Sequence, residues 1–449
     1  MSVKNSLNGG QMIVDHLIQQ GVPYAFGLCG HGNIGFIDAL YERSDDVETI
    51  SVRHESVAGF MADVYYRVSG QATATFTSCG PGSANMPICL GNAFMDSVPF
   101  FAVTGNVPTN QFNRGAFQEL YRHYQADFPS TVKAYCKRVY QPTRGEQMPV
   151  TVREAWKTMM TGRPGPVVVD VPFDIFKEDT GAETPDPKAW TDNISCRAGG
   201  DMESIEKAAR MLLAAERPVI MVGQGCRYGD ASALLLELAE KYQIPVAASA
   251  SGLGAIPSEH PLALGLVARN GMYQANHATR QADVILAMGM RFDDRTSSTW
   301  IPGYSFNIPP TKLIHVDIDP EEIGRNYPVA LGIMADSQTF MKQLLAELEG
   351  ASRELSAPRK KWLADINGWR KEWDEFPAPG FKDPASPINP QRAAREIDLA
   401  LPDDAILVSD IGIHHNWLIQ YTRPKRPDSL IGSMGYGPMG FGVAGVLGA

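Results

Sequence analysis

Short apolar runs recur along the chain, and most of them end in a glycine-containing turn that leads into a segment with helical periodicity. Such runs, rich in β-branched and aromatic residues, are typical of buried strands. Strands that alternate with helices predict parallel sheets covered by helices on both faces. We therefore predict an α/β fold made of doubly wound parallel sheets. The eight clearest runs, each with its turn, are residues 24–33, 74–85, 100–108, 166–174, 218–225, 283–294, 313–324 and 405–415.

Two polar segments rich in proline and glycine interrupt this pattern. EDTGAETPDPKAWTDNISCRAGG covers 178–200, and PAPGFKDPASPINP covers 377–390 after an amphipathic helical pattern. Both are typical of linkers. They predict domains at 1–180 and 195–350, followed by a third piece at 385–449. The third piece begins as another α/β domain but is too short to close a sheet around its own core, so we expect it to be truncated.

The composition excludes several classes of protein. The 449 residues carry a net charge of -10 and no basic run, which argues against a nucleic-acid partner. We find no apolar run long enough for a membrane span and no signal peptide. The six cysteines form no CxxC pair, which argues against a zinc site or a disulfide framework. This pattern is typical of a protein in the reducing cytoplasm. We expect a cytoplasmic protein with small-molecule substrates.

Glu55 stands at the start of an unusually apolar helical segment, RHESVAGFMADVYYRVSG at 53–70. It is either a solvated glutamate in the first turn of a helix or an acid held in a dry site to move a proton. The SCGPGSAN turn raises a similar choice. Gly80 and Gly82 permit close approach of a ligand to the backbone, but a lone GPG is equally a simple tight turn. The same holds for the loose dinucleotide-type spacing of Gly223, Gly225 and Gly229.

Charged residues follow three later strands. Arg291 and Arg295 can neutralise a pyrophosphate while an acid such as Asp317 holds a ribose hydroxyl, or these residues form an ordinary charged loop. In GIHHNW, His414 and His415 are adjacent and therefore point in different directions, which argues against a metal pair. One phosphate contact is the better interpretation.

Taken in order, these segments resemble the thiamine-diphosphate enzymes of the acetolactate synthase type. The resemblance covers essentially the whole chain and rests on FGLCGHGN, HESVAGFMADVYYR, SCGPGSAN, TGNVPT, AFQE, GRPGPVVVDVPFD, SGLGAIP, FDDR, DIDPEEIG, GIHHNW and GYGPMGFG. It implies a pyrimidine-binding domain at 1–180, a central Rossmann-like domain at 195–350 and the start of a diphosphate-binding domain at 385–449. It also implies a homodimer or a dimer of dimers, with each active site between the first domain of one subunit and the third domain of its partner.

The resemblance gives Glu55 the family's role of hydrogen-bonding the aminopyrimidine ring, which promotes deprotonation of the thiazolium carbon. This chemistry needs a carboxyl group in a low-dielectric pocket, and the apolar run after Glu55 suits it. Asn85 matches a position near the pyrimidine and the substrate, and Gln118 of AFQE matches a polar group beside the reacting carbon.

Further cofactor contacts are implied in the same way. Gly80 belongs to the turn beside the pyrimidine, and His414 matches a contact to the diphosphate. Gly437 and Met439 lie in GYGPMG, where an apolar residue props the cofactor in its bent form. Arg291 and Asp317 match loops that bind FAD in the flavin-containing members. We expect FAD here, with an adenine nucleotide or no ligand as the alternatives.

Departures from the family pattern concern the substrate. Gly30-His31 stands where two glycines are usual, so an imidazole is expected in the substrate pocket as an acid–base group or a substrate contact. The alternative is a structural histidine bonded to its own loop. Cys29 replaces a common proline, and Ile413 replaces a common glutamine. The acceptor substrate is therefore open.

The family's GDG segment and the asparagine that follows it, which bind Mg²⁺ through oxygen ligands, have no match in this chain. We expect the magnesium ligands to lie in a missing C-terminal part, and the chain as given to be a truncated, inactive form.

The resulting functional hypothesis is a carboligase that decarboxylates pyruvate and transfers the two-carbon unit to a second carbonyl compound. The enzyme alternatives are a lyase or hydrolase that acts on a hydroxyketone or diketone, and a flavoenzyme similar to pyruvate oxidase. A non-catalytic nucleotide-binding module is the alternative from another class, should the chain end at Ala449.

Overall fold

The computed structural model describes residues 6–119, 121–122, 125–191, 197–227, 231–352 and 354–449. It divides into two compact units. The first comprises Met1–Cys196 and Ser433–Ala449, and the second comprises Arg197–Gly432. The predicted doubly wound α/β class is confirmed in both units.

The first unit is built on a six-stranded parallel sheet in the order β2-β1-β3-β4-β8-β7. The strands are β1 (Tyr24–Gly27), β2 (Glu48–Ser51), β3 (Ala74–Thr77), β4 (Phe101–Asn106), β7 (Arg138–Tyr140) and β8 (Val167–Pro172), and β5 (Tyr121–Arg122) pairs with β6 (Gln125–Ala126) in a separate hairpin. The helices are α1 (Gly9–Gln19), α2 (Ile34–Glu42), α3 (Glu55–Ser69), α4 (Pro81–Ala84), α5 (Pro87–Met95), α6 (Phe128–Val132), α7 (Met148–Met160) and α8 (Pro187–Trp190). Single 3₁₀ turns lie at His31–Asn33, Thr109–Gln111 and Gly145–Gln147.

The strand order of this sheet locates its ligand-binding edge. The chain runs from β1 outward to β2 and then returns to the other side of β1 with β3. Ligands of open parallel sheets bind beyond the carboxyl ends of the strands at such a reversal. The loops after β1 and β3 are therefore the expected site, and they carry His31 and the SCGPGSAN turn.

The second unit has another six-stranded parallel sheet in the order β11-β10-β9-β12-β13-β14, which is the Rossmann strand order. Its strands are β9 (Pro218–Val222), β10 (Val246–Ala248), β11 (Ala263–Leu266), β12 (Val284–Met288), β13 (Lys312–Asp317) and β14 (Leu331–Met334), and β15 (Leu407–Ser409) and β16 (Leu430–Gly432) form a separate parallel pair. The helices are α9 (Met202–Ala214), α10 (Ala231–Tyr242), α11 (Tyr273–Gln281), α12 (Ser337–Glu347), α13 (Ala357–Glu375), α14 (Ala378–Phe381), α15 (Pro390–Ala400) and α16 (Ile413–Tyr421). Single 3₁₀ turns lie at Gln224–Cys226 and Ala250–Gly252.

Ser433–Ala449 belongs to the first unit and packs against α3. It contains α17 (Phe441–Gly445) and a 3₁₀ turn at Val446–Gly448. Phe441 meets Phe60 edge-to-face, with ring centroids 5.6 Å apart. The guanidinium of Arg67 lies 5.7 Å from the centre of the Phe441 ring, a cation–π distance.

A buried ionic cluster fixes the far end of α3. Arg67 donates to Asp63 at 2.6 Å and to Asp96 at 2.9 Å, and all three side chains are at most 2% exposed. Asn92 donates to Asp63 at 2.9 Å, and the backbone nitrogen of Met434 donates to Asp96 at 3.0 Å. Burial raises the pKa of Asp63, and the nearby guanidinium opposes that shift. The cluster thereby joins α3, the end of α5 and the C-terminal segment.

Helix α3 begins and ends at clear signals. His54 caps its start, since its Nδ1 accepts from the backbone nitrogen of Ser56 at 3.3 Å. Gly70 ends it in the left-handed conformation at φ 74°. Between these points ten of its residues are buried, so the helix lies inside the unit rather than on its surface. In the described part of the chain, no helix is both long and apolar enough to cross a membrane.

We predict that His16 makes the native state acid-sensitive. Its imidazole is buried in α1 against Trp156, and neither ring nitrogen has a hydrogen-bond partner in the described structure. Burial lowers the pKa of His16 from 6.5 to about 4. As the pH falls, the unfolded chain is therefore protonated at His16 before the native state is. The contribution of the neutral, buried imidazole to stability is complete above pH 6.5 and is lost as the pH falls towards 4.

The loss amounts to about 3 kcal/mol at most, and it is measured as the fall in Tm between about pH 7.5 and pH 5. His16→Leu, which cannot titrate, should show a smaller fall than the wild type. Equal falls in the two proteins would contradict the prediction.

Candidate active site

The turn that follows β3 lies at the centre of the site in the first unit. It runs through residues 78–85 and includes the short helix α4. Polar side chains from α3, from the loop after β1 and from the AFQE segment all contact this turn. They form two groups, one on Asn85 and one on Cys79.

Glu55 and Asn85 form the first group. Glu55 is only 7% exposed, which excludes the solvated first-turn glutamate. Its Oε2 accepts a hydrogen bond from Nδ2 of Asn85 at 2.9 Å. A Cβ atom added to Gly82 would lie 3.2 Å from Oε1 of Glu55. The glycine therefore leaves space beside a buried carboxyl oxygen.

Cys79, His31 and Gln118 form the second group. The thiol of Cys79 lies 3.7 Å from Nε2 of His31 and 3.7 Å from Oε1 of Gln118. Burial raises the pKa of Cys79, which keeps the thiol protonated and able to donate. His31 is exposed, and its ring stacks on Phe117 with centroids 6.0 Å apart. The imidazole thus lies at the surface, in the same group of contacts as Cys79 and Gln118.

Gly80 requires a glycine because of Gln118. Both residues have positive φ, 58° and 64° respectively. A Cβ on Gly80 would lie 2.4 Å from the backbone oxygen of Gln118, a distance that real Cβ atoms do not adopt. The turn and the AFQE segment are therefore in direct backbone contact. This close approach brings Gln118 next to Cys79.

Gly437 and Met439 lie in the C-terminal segment of the same unit. Gly437 has φ 77°, and its backbone nitrogen donates to Oγ of Ser433 at 2.8 Å. The Met439 side chain is 81% exposed and precedes α17, which packs on the helix that Glu55 begins. A ligand at this surface would cover Met439.

In the second unit, Arg291 follows β12, and Asp317 is the last residue of the neighbouring strand β13. Asp317 is buried, and its Oδ1 accepts from the backbone nitrogen of Asp319 at 2.9 Å. In FDDR, Asp294 pairs with Arg269 at 2.9 Å, and Arg295 donates to Asn416 at 2.6 Å. Part of the charge of this loop is thus already paired within the protein.

The GQG spacing after β9 serves backbone packing. A Cβ on Gly223 would lie 2.0 Å from the backbone oxygen of Gly289. A Cβ on Gly225 would lie 2.8 Å from the Cα atom of Gly289. The two strand-end loops at the reversal of this sheet therefore touch each other through glycines. Gly229, the third glycine of the spacing, lies outside the described residues.

His414 and His415 have opposite environments at the start of α16. His414 is exposed, whereas His415 is buried and its Nδ1 lies 2.9 Å from Oγ of Ser409. Burial, and then the charges of Arg295 and His414, lower the pKa of His415 to about 4. Only His414 is available for a ligand contact. Among the described residues, no three or more His, Cys, Asp or Glu side chains are grouped to hold a metal ion.

Comparison with known proteins assigns this arrangement to a family. Three profiles of thiamine pyrophosphate enzymes match the chain, the N-terminal binding domain at residues 7–126, the central domain at 205–344 and the C-terminal binding domain at 410–449. A probable acetolactate synthase large subunit of Methanocaldococcus jannaschii is 35% identical over 452 residues, which cover 99% of this chain and 73% of the relative. The chain belongs to the thiamine pyrophosphate enzymes of the acetolactate synthase type. Thiamine pyrophosphate is the compound also called thiamine diphosphate.

Two further relatives have the same relation to the chain. The large subunit of acetolactate synthase isozyme 1 from Escherichia coli is 33% identical over 451 residues, covering 100% of this chain and 75% of the relative. The mitochondrial catalytic subunit of acetolactate synthase from Saccharomyces cerevisiae is 31% identical over 459 residues, covering 99% and 65%. The predicted family resemblance is thereby confirmed.

The first unit fits the pyrimidine half of thiamine diphosphate. A buried carboxyl oxygen next to the space above Gly82 can accept a hydrogen bond from a ring nitrogen, and the neighbouring amide of Asn85 holds the other oxygen. For magnesium, the described residues provide no cluster of ligands, so we assign no ligand to it and no reaction step through it.

Sequence reasoning missed the part played by Cys79. It lies between His31 and Gln118, residues that are far from it in the sequence. Its position directly after β3, at the reversal of strand order, was the available signal.

We predict that Gly80→Ala disrupts the contact with Gln118 and that Gly70→Ala is its matched control. Both glycines have positive φ, but an added Cβ at Gly70 meets no atom within 4 Å. Gly70→Ala should cost about 1 kcal/mol of unfolding free energy from backbone strain alone. Gly80→Ala should cost about 2 to 4 kcal/mol, because overpacking adds to the strain.

Denaturant unfolding of both variants measures the difference. Equal losses for the two would mean that the AFQE segment moves aside at no cost, contrary to the contact described here.

Proposed function

We propose that the protein is a thiamine-diphosphate-dependent carboligase that decarboxylates pyruvate and transfers the two-carbon unit to a second carbonyl compound. The observation that carries the proposal is the buried Glu55 carboxyl, bonded to Asn85 and facing the space above Gly82. Relatives named as acetolactate synthase large subunits, at 32 to 35% identity over nearly the whole chain, support this choice of reaction.

Bound thiamine diphosphate supplies the electron sink for the carbanion that is left when a 2-oxo acid loses carbon dioxide. The part of Glu55 in this proposal is to hold a proton at the aminopyrimidine ring. The carboxyl group is only 7% exposed and is held by Asn85, so it is placed to share a proton with a ring nitrogen.

Asn85 orients the glutamate. Its Nδ2 donates to Oε2 of Glu55, which leaves Oε1 for the cofactor ring. The hydrogen bond also fixes the carboxyl plane relative to the turn after β3. Asn85 is thus a positioning residue in the proposal, and Gly82 keeps a side chain away from Oε1.

Gln118, Cys79 and His31 contact the substrate side in the proposal. The amide of Gln118 and the protonated thiol of Cys79 are neutral dipoles that can stabilise charge that develops on a carbonyl oxygen. The exposed imidazole of His31 lies 3.7 Å from that thiol and can form a hydrogen bond with a substrate group. These three residues therefore suit the acceptor carbonyl rather than the cofactor ring.

The remaining assignments follow the family resemblance. They are a diphosphate contact by His414, cofactor support by Gly437 and Met439, a FAD site at Arg291 and Asp317, and Mg²⁺ bound outside the described residues. The domains are assigned to 1–180, 195–350 and 385–449, which the matched profiles support. A cytoplasmic homodimer or dimer of dimers completes the proposal.

A second candidate function is a lyase or hydrolase that cleaves a hydroxyketone or diketone. The exposed imidazole of His31 favours it, because it is 3.7 Å from a thiol and stacked on Phe117. Cleavage of a hydroxyketone needs a base at the hydroxyl group, and histidine is the side chain that most often serves as a general base.

We predict that, in the intact enzyme, Glu55→Gln lowers kcat for acetolactate formation from pyruvate by roughly 100-fold or more, the usual loss for a positioned acid–base group. Glutamine keeps the size and one acceptor oxygen but cannot exchange the proton. Glu48→Gln, an exposed glutamate in β2 of the same unit, is the control and should be unaffected. A near-normal rate for Glu55→Gln would refute the assignment.

We predict that His31→Gly changes selectivity between pyruvate, hydroxyketones and diketones, because it removes the imidazole from the substrate side. The ratio of kcat/KM values for the three substrate classes measures this change. A selective loss with hydroxyketones or diketones supports the cleavage function. Unchanged ratios would make His31 structural.

A further inference from the structure

The AFQE segment carries Gln118 on a loop with unusual backbone geometry. Within six residues, Asn113, Gly115 and Gln118 have positive φ values of 64°, 74° and 64°. Two of these are not glycine, and such conformations persist only where surrounding contacts enforce them. A loop of this kind needs an internal anchor.

Glu119 is that anchor. Its Oε1 accepts from the backbone nitrogen of Asn113 at 2.9 Å, and its Oε2 accepts from those of Gly115 and Ala116, both at 3.2 Å. Its own backbone nitrogen donates to the oxygen of Ala116 at 3.0 Å. One carboxyl group thus satisfies three backbone donors, with the added strength of a charged acceptor.

The anchored loop presents two side chains to the site. Gln118, adjacent to Glu119, packs its backbone against Gly80 and directs its amide to Cys79. Phe117 stacks on His31. Both contacts come from the loop that the Glu119 carboxyl group closes. The positions of Gln118 and Phe117 therefore depend on this carboxyl group.

We propose that Glu119 is a positioning residue for Gln118 and Phe117, and that it acts by closing the loop at 113–119. The proposal rests on the proposed function only in that it gives Gln118 a place in the reaction. Glu119 itself touches neither substrate nor cofactor in this assignment, because its two oxygens are bonded to the loop backbone.

The first test measures the loop without any reaction. Arg114 is exposed within the loop and is a trypsin site. Removal of the anchor should speed cleavage after Arg114 by roughly 10-fold or more in Glu119→Ala, since local opening governs proteolysis. Glu119→Gln, which keeps one acceptor oxygen, should be intermediate. Glu48→Ala is the control, and all variants are compared below their Tm by mass spectrometry of the peptide that ends at Arg114.

The second test is a double-mutant cycle on carboligation. If Glu119 acts through Gln118, then Glu119→Ala should lower kcat by about as much as Gln118→Ala, and the double variant should be no slower than Gln118→Ala alone. The affinity for thiamine diphosphate should stay within about 2-fold, because the Glu55 group is not moved. The kcat of Glu119→Gln should lie between those of the wild type and Glu119→Ala, just as its rate of cleavage does in the proteolysis test.

The outcomes separate the two proposals. Unchanged cleavage after Arg114, or losses of kcat that multiply in the double variant, would overturn the positioning role of Glu119. An absence of carboligation from pyruvate by wild-type protein that has bound thiamine diphosphate and Mg²⁺ would overturn the proposed function, while the proteolysis result would still decide the role of Glu119 in the loop.

Discussion

A guanidinium group buried to 2% exposure must be neutralised where it lies, and this constraint on Arg67 governs the first unit. Asp63 and Asp96 surround it, one from its own helix and one from the end of α5. Buried ion pairs contribute little net stability compared with apolar packing, but an unpaired member is costly, so they select one arrangement. Arg67 therefore sets both the rotation and the depth of α3.

The consequence for the site is geometric. Glu55 lies twelve residues before Arg67, which is about 18 Å along the helix axis. The ionic cluster fixes the C-terminal end of α3. Glu55, the first residue of this helix, lies at the other end, near the point where the strand order of the sheet reverses. The turn after β3 meets it there. On one side of this turn Asn85 donates to Glu55, and on the other the thiol of Cys79 contacts Gln118.

The sequence was informative where a property follows from local pattern. Apolar runs with glycine turns predicted parallel sheets covered by helices, although they marked only four strands of the first six-stranded sheet and three of the second. The residues around Glu55 left its burial open. The pattern failed where a role depends on contacts between distant segments. Cys79 looked like any residue of a tight turn. The hydrogen bonds that backbone nitrogens donate to Glu119 cannot be predicted from residue spacing. The glycines at 223 and 225 resembled a dinucleotide fingerprint but pack against Gly289.

Phe117 differs from its neighbours in one respect. Gln118 and Gly80 are in tight backbone contact, whereas Phe117 is 79% exposed and its ring stacks on His31. A substitution at this position changes the size of the entrance without disturbing the sheet, the turn or the buried charges. The surface beside His31 can therefore vary through Phe117 while the tight backbone contact between Gly80 and Gln118 is kept.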